Sequence, residues 1–195
     1  MFLASDYRLD EARAQAAAAI EVDPLSPFIH GIAGLAALAG GDVGGAEAGA
    51  RSAMELQPDY LLAFWLLAIT LDNAGRLDEA EAMINRAVVM SRAPIFIAML
   101  GKIYARQGRA GECAAIESEL DDRRSRGEYV SRACDVVIAT GRDDLEALRR
   151  ALRACVLDDT SWFTVRLGPG PGLETFRSDH EVNSLLDTLY DGAAP

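Results

Sequence analysis

LLAFWLLAITLDNAGRLDEAEAMINRAVVMSRA, residues 61–93, decides how the rest of the chain is read. Phe64, Leu67, Ala68 and Leu71 fall at i, i+3, i+4 and i+7, one face of a helix. Asn73-Ala74-Gly75 breaks that helix, and Gly75 suits a C-terminal position where φ turns positive. A second amphipathic run follows. Asp78 and Glu79 lie in its first turn, where the helix dipole favours negative charge, and Ala80, Ile84 and Ala87 give it an apolar stripe. The stretch predicts a hairpin of two helices.

The hairpin recurs. Small residues opening the second helix stand at Ala12, Ala46, Ala80, Cys113 and Ala147, in steps of 34, 34, 33 and 34. Ala19, Ala53, Ala87, Leu120 and Ala154 repeat the same steps. Turn glycines at Gly41, Gly75, Gly108 and Gly141 and prolines at Pro24 and Pro58 keep the register. On these ladders the chain resembles the tetratricopeptide repeat (TPR) family. The segment Ile97-Ala-Met-Leu100-Gly101-Lys-Ile-Tyr104 is similar to that family's W-x2-L-G-x2-Y pattern, and Ala80, Ile84 and Ala87 match its second-helix pattern. The resemblance spans residues 7–156. It implies an all-α fold: a right-handed superhelical TPR solenoid of four to five helix hairpins with a C-terminal capping helix. Residues 1–195 are then one domain, with repeats over 7–156 and the cap over 157–195.

Composition agrees with a folded chain: half the residues are hydrophobic and a quarter charged. The net charge of −11 argues against direct binding to nucleic acid or to an anionic membrane, both of which need clustered Lys and Arg. The opening MFLASDYRLDE has no basic n-region, and the apolar run 61–71 is too short to span a bilayer. The expected location is cytoplasmic. Cys113, Cys134 and Cys155 are odd in number, lack C-x-x-C spacing and fall on expected helices, so they read as reduced, buried thiols.

Taken in order, residues 1–22 supply a second helix with only a stub before it. The expectation is either a polypeptide extending upstream or a frayed first repeat, with an apolar edge able to form a homodimer. Residues 25–58 form an alanine-rich hairpin; its glycine-rich turn 40–45 lacks the G-K-[ST] ending of a phosphate loop. In the pair at 94–124 Glu117 replaces the counterpart of Ile84, and residues 121–127 read as a polar connector. The last pair, 128–156, carries one extra residue between Gly141 and Ala147. Beyond it come the apolar stretch 162–167, the non-helical Gly168-Pro-Gly-Pro-Gly172, and a closing helix with Ser178 and Glu181 at capping-box spacing.

Tyr129-Val-Ser, a Trp-containing stretch, and Leu173-x-x-Phe176-Arg-Ser-Asp179 before a Leu-Leu helix resemble the C-terminal end of TPR modules in bacterial multidomain regulators. Such modules follow a winged-helix DNA-binding domain, a class III nucleotide cyclase or a Ser/Thr kinase. No kinase glycine loop, metal-binding acidic pair or basic recognition helix stands in this sequence, and the glycine–proline run departs from that family's Asp-Pro-Arg-Phe.

Catalysis finds little support. His30 and His180 are the only histidines, nucleophile motifs and metal spacings are absent, and Asp143-Asp144 and Asp121-Asp122 read as helix-end acids. No enzyme activity and no cofactor are expected. The TPR resemblance implies a concave groove lined by the first helices, here by Leu62, Trp65, Ile69, Asp72 and Asn73, preceded by Phe28, Gly31, Leu35, Leu38 and Ala39 and followed by Ile95, Ala98, Lys102, Ala105 and Arg106. The other reading packs Leu62, Trp65 and Leu35 between helices. Asn73, Lys102 and Arg106 resemble half of a carboxylate clamp, whose other half is missing at Leu35 and Ala39. The partner-binding candidates are therefore Leu62, Trp65, Ile69, Asn73, Lys102 and Arg106. The expected function is a non-catalytic protein–protein interaction or scaffolding module, the regulatory arm of a larger bacterial signalling protein, holding a peptide or protein. The alternative is a self-associating or small-ligand-sensing domain that controls an attached output domain.

Overall fold

The computed structural model describes residues 9–158 and 170–191, and among these the fold is all-helical, with ten α-helices, one 3-10 turn and no strand. The chain divides into two compact units, residues 1–91 and 92–195. The expectations for residues 1–8 and for the stretch 162–167 lie outside the described residues.

The first unit holds α1 (Leu9–Val22), α2 (Pro27–Ala39), α3 (Val43–Leu56), α4 (Leu61–Asn73) and α5 (Leu77–Met90). Each helix packs on the next, and α2 also touches α4. Local chemistry sets the boundaries. Ser26 Oγ accepts from Ile29 N at 3.4 Å to cap α2, and Pro27 occupies a first-turn position that needs no donor. Asp42 caps α3 by accepting from Gly45 N at 2.8 Å. Gly41 and Gly75 turn the chain with φ of 76° and 75°. Small residues let the helices close: Ala46, Ala50 and Ala53 of α3 are fully buried, and a Cβ on Gly49 would stand 2.8 Å from Gly34 Cα. Ala80, Ile84 and Ala87 are fully buried in α5, as the stripe in the sequence predicts. The Arg86 guanidinium lies 4.4 Å over the buried ring of Phe64.

The second unit holds α6 (Pro94–Arg106), α7 (Ala110–Ser125), α8 (Ala133–Arg142), α9 (Leu145–Leu157), the 3-10 turn Gly170–Phe176, and α10 (His180–Asp191). Here α6 packs on both α7 and α8, α8 on α9, and α9 on α10. Leu148, Leu152 and Cys155 of α9 form one core with Leu173 of the 3-10 turn and Val182 and Leu186 of α10.

Several local expectations are corrected. Residues 121–125 are the last turn of α7, not connector, because Arg124 bonds Asp121 at 2.9 Å within the helix. The connector is 126–132, and the last first-helix starts at Ala133 rather than near 128. Arg124 pins this connector by donating to Val130 O, Ser131 O and Asp135. Gly141 is helical. Asp143 takes the left-handed turn with φ 54°, while Gly141 stays bare because a Cβ would meet Lys102 O at 2.6 Å. That extra turn residue shifts the buried ladder of α9 by one: Leu148 and Cys155 are fully buried, and Ala147 and Ala154 only half-buried. At the tail, Asp179 rather than Ser178 caps α10, accepting from Val182 N at 3.0 Å, and Gly170–Gly172 open a 3-10 turn.

Candidate functional site

One end of the first unit carries exposed large apolar side chains, and Val89 and Met90 at the end of α5 are exposed as well. Leu25, Phe28 and Leu62 are 73%, 56% and 45% exposed. Antiparallel packing brings the α1–α2 and α3–α4 loops to the same end. His30 Nε2 lies 2.9 Å from Pro24 O, tying the first loop to α2. The Tyr60 ring lies against Gly31, where a Cβ would be 3.6 Å from Cε1. Phe28 precedes Gly31 by one helical turn and Leu62 follows Tyr60 by two residues, so both lie close to this contact along the chain. Partial burial of Tyr60 pushes its phenol above the ordinary value. One turn along α4, Trp65 is half-buried. Its indole Nε1 is shielded from solvent and has no hydrogen-bond acceptor among the described residues.

Charge is divided unevenly. Residues 1–91 carry 13 carboxylates against 5 arginines, a formal −8, and residues 92–195 carry 17 against 13 arginines and Lys102, a formal −3. Around the apolar end, Glu21, Asp23, Glu55 and Asp59 are exposed and form no ion pair among the described residues. Asp23 only caps its own turn, accepting from Leu25 N at 3.3 Å. Elsewhere in this unit Arg51 pairs with Glu47 and Arg76 with Glu47 and Glu79.

The six sequence candidates separate. Leu62 is exposed and Trp65 half-buried, while Ile69 is fully buried inside the first unit. Asn73 Nδ2 donates to Ile69 O of its own helix at 2.8 Å. In the second unit Lys102 is only 2% exposed, and a Cβ on Gly172 of the tail would lie 3.7 Å from its Nζ. Arg106 is exposed at the end of α6. Asn73 and Lys102 thus do not present the outward donors that hold a carboxylate. The residues that join Leu62 are Phe28, at the same repeat position, and the carboxylates. The spacing carried that signal: Glu21 to Glu55, Val22 to Leu56 and Phe28 to Leu62 are each 34 residues apart.

The second unit offers a cleft of about 460 Å³ between α7, α8 and α9, floored by Ile138, Ala139 and Ala151. Three of its four arginines are matched from within, Arg124 with Asp121 and Asp135, Arg132 with Asp135, and Arg142 with Glu117 at 2.5 Å, while Arg150 has no ion pair among the described residues. The three cysteines are free and buried; burial pushes the Cys134 thiol up to about 12 and raises that of Cys113. Among the described residues, no group of three His, Cys, Asp or Glu is placed to hold a metal ion, and no helix is long and apolar enough to cross a membrane. His30 bonds a loop carbonyl, and His180 is exposed at the start of α10. No protein-family model matches the chain, and a search of curated proteins finds no match.

Proposed function

We propose that this chain is a non-catalytic protein-interaction module that docks a partner segment on the Phe28–Leu62 end of its first unit. One observation carries the reading: two large apolar side chains 34 residues apart are exposed, each within one helical turn along the chain of the residues that make the Tyr60–Gly31 contact. Contiguous apolar surface left in water marks an interaction site more often than a random lapse of burial. The resemblance to TPR modules supplies the wider setting, a sensory or scaffolding arm of a larger bacterial cytoplasmic signalling protein.

The test is selection of displayed helical peptides on the intact chain, followed by titration on a Phe28→Ser, Leu62→Ser variant. Both positions are exposed, so the variant keeps its helical circular dichroism. Peptides that bind the parent and lose affinity at least about tenfold on the variant support the reading. Peptides that bind both equally refute it. A concentration-dependent mass in sedimentation that the double variant abolishes would instead identify a second copy as the occupant.

A further inference from the structure

The partner's chemistry is written in what surrounds the apolar end. Glu21, Asp23, Glu55 and Asp59, in or beside the α1–α2 and α3–α4 loops, are exposed and meet no cation among the described residues, in a unit whose net charge is −8. The arginines described in that unit offer no relief. Arg51 and Arg76 are held by Glu47 and Glu79, Arg86 is stacked on Phe64, and Arg13 lies by the C-terminus of α2, where a Cβ on Gly40 would stand 2.6 Å from its guanidinium. The second unit treats the same repeat position differently. Asp158 follows the end of α9 as Asp23 follows the end of α1, and Arg132 meets Asp158 at 2.9 Å. Asp23 has no such arginine. The pattern also has two rungs, Glu21-Val22 with Phe28 and Glu55-Leu56 with Leu62, one repeat apart.

Resting on the docking reading above, we propose that the segment bound at this end is cationic and amphipathic: its apolar side chains seat on Leu25, Phe28 and Leu62, and its flanking Lys or Arg meet Glu21, Asp23, Glu55 and Asp59. Uncompensated carboxylates around an apolar patch repel acidic and neutral-polar competitors and draw a basic segment in. The same groups therefore supply selectivity and a faster encounter. Their exposure keeps each contact individually weak, so the effect comes from four acting together and fades with salt.

The experiment titrates fluorescein-labelled amphipathic peptides of about 15 residues into the full chain. Each has the same Leu/Ala face, and the flanks are all Lys, all Gln or all Glu. The Lys peptide should bind about tenfold tighter than the Gln peptide, and that advantage should shrink as salt is raised. The variant Glu21→Gln, Asp23→Asn, Glu55→Gln, Asp59→Asn should lose about tenfold for the Lys peptide. A control with the same charge change in the second unit, Glu112→Gln, Asp122→Asn, Glu128→Gln, Asp143→Asn, should lose less than about twofold. Equal affinity for the Lys and Gln peptides, with both lost in Phe28→Ser, Leu62→Ser, overturns the cationic assignment and leaves the docking face standing. A control variant as damaging as the face variant overturns it too. Failure of all three peptides, or binding untouched by Phe28→Ser, Leu62→Ser, overturns both readings.

Discussion

Gly49→Ala tests the packing that positions the docking end. Gly49 sits where α3 crosses α2, and a Cβ there would stand 2.8 Å from Gly34 Cα, Gly34 N and His30 O. Ordinary contacts begin near 3.4 Å, so the helices must part by about 0.6 Å. That movement loosens Ala46, Ala50 and Ala53, all fully buried. Alanine gains about 1 kcal/mol over glycine inside a helix. Overpacking costs about 1–3 kcal/mol, and backbone atoms on the blocking side put this case at the upper end. The net loss is about 2 kcal/mol, a fall in Tm of about 4–8 °C for a chain of this size. Gly111→Ala is the matched control: nothing lies within 4 Å of its Cβ, and it should gain about 0.5 kcal/mol. Urea and thermal melts followed by helical circular dichroism read both. A Gly49→Ala protein as stable as the parent would refute the close α2–α3 crossing.

Ala80→Leu places a large side chain at a site with no exposed area and should cost about 1–3 kcal/mol in the same melts; an unchanged midpoint contradicts the register of α5. Asp179 gives a pH signature. The Arg149 guanidinium and the N–H of Val182 hold its carboxyl at about 2, below the ordinary carboxylate range. A depressed folded-state pKa contributes stability above the unfolded value and loses it as pH falls through the folded value. The melting difference between the parent and Asp179→Asn should therefore be full at neutral pH and close between about pH 4 and pH 2; a pH-independent difference would refute the pairing. Trp65→Phe removes the shielded N–H that has no acceptor among the described residues, so stability should hold or rise by up to about 1 kcal/mol. A large loss of stability would assign the indole to the core instead.

The helices were legible wherever small residues kept a fixed step. Ala46, Ala80 and Cys113 are fully buried at the positions their spacing marks. The register slipped where a single residue was added: Asp143 takes a left-handed turn that glycine holds at Gly41, Gly75 and Gly108, and the buried face of α9 moves from Ala147 to Leu148. Side-chain reach explains the mixed outcome at the site. A groove pattern names positions on one helix, but Ile69 is closed in by neighbouring helices, and Lys102 lies under a tail from about 70 residues later in the chain. Non-local coverage of this kind leaves no periodic trace. The acidic rim did leave one, since Glu21 and Glu55 share the repeat spacing, but isolated carboxylates in an acidic chain carry no weight until their cations are seen to be elsewhere.

The most direct measurement of the docking claim is a backbone amide titration by heteronuclear NMR, with the Lys-flanked amphipathic peptide added to the isotopically labelled chain. The account predicts that the largest shift changes fall in residues 21–31 and 55–65. Largest changes in residues 92–158, or none in the first unit at saturating peptide, would contradict it.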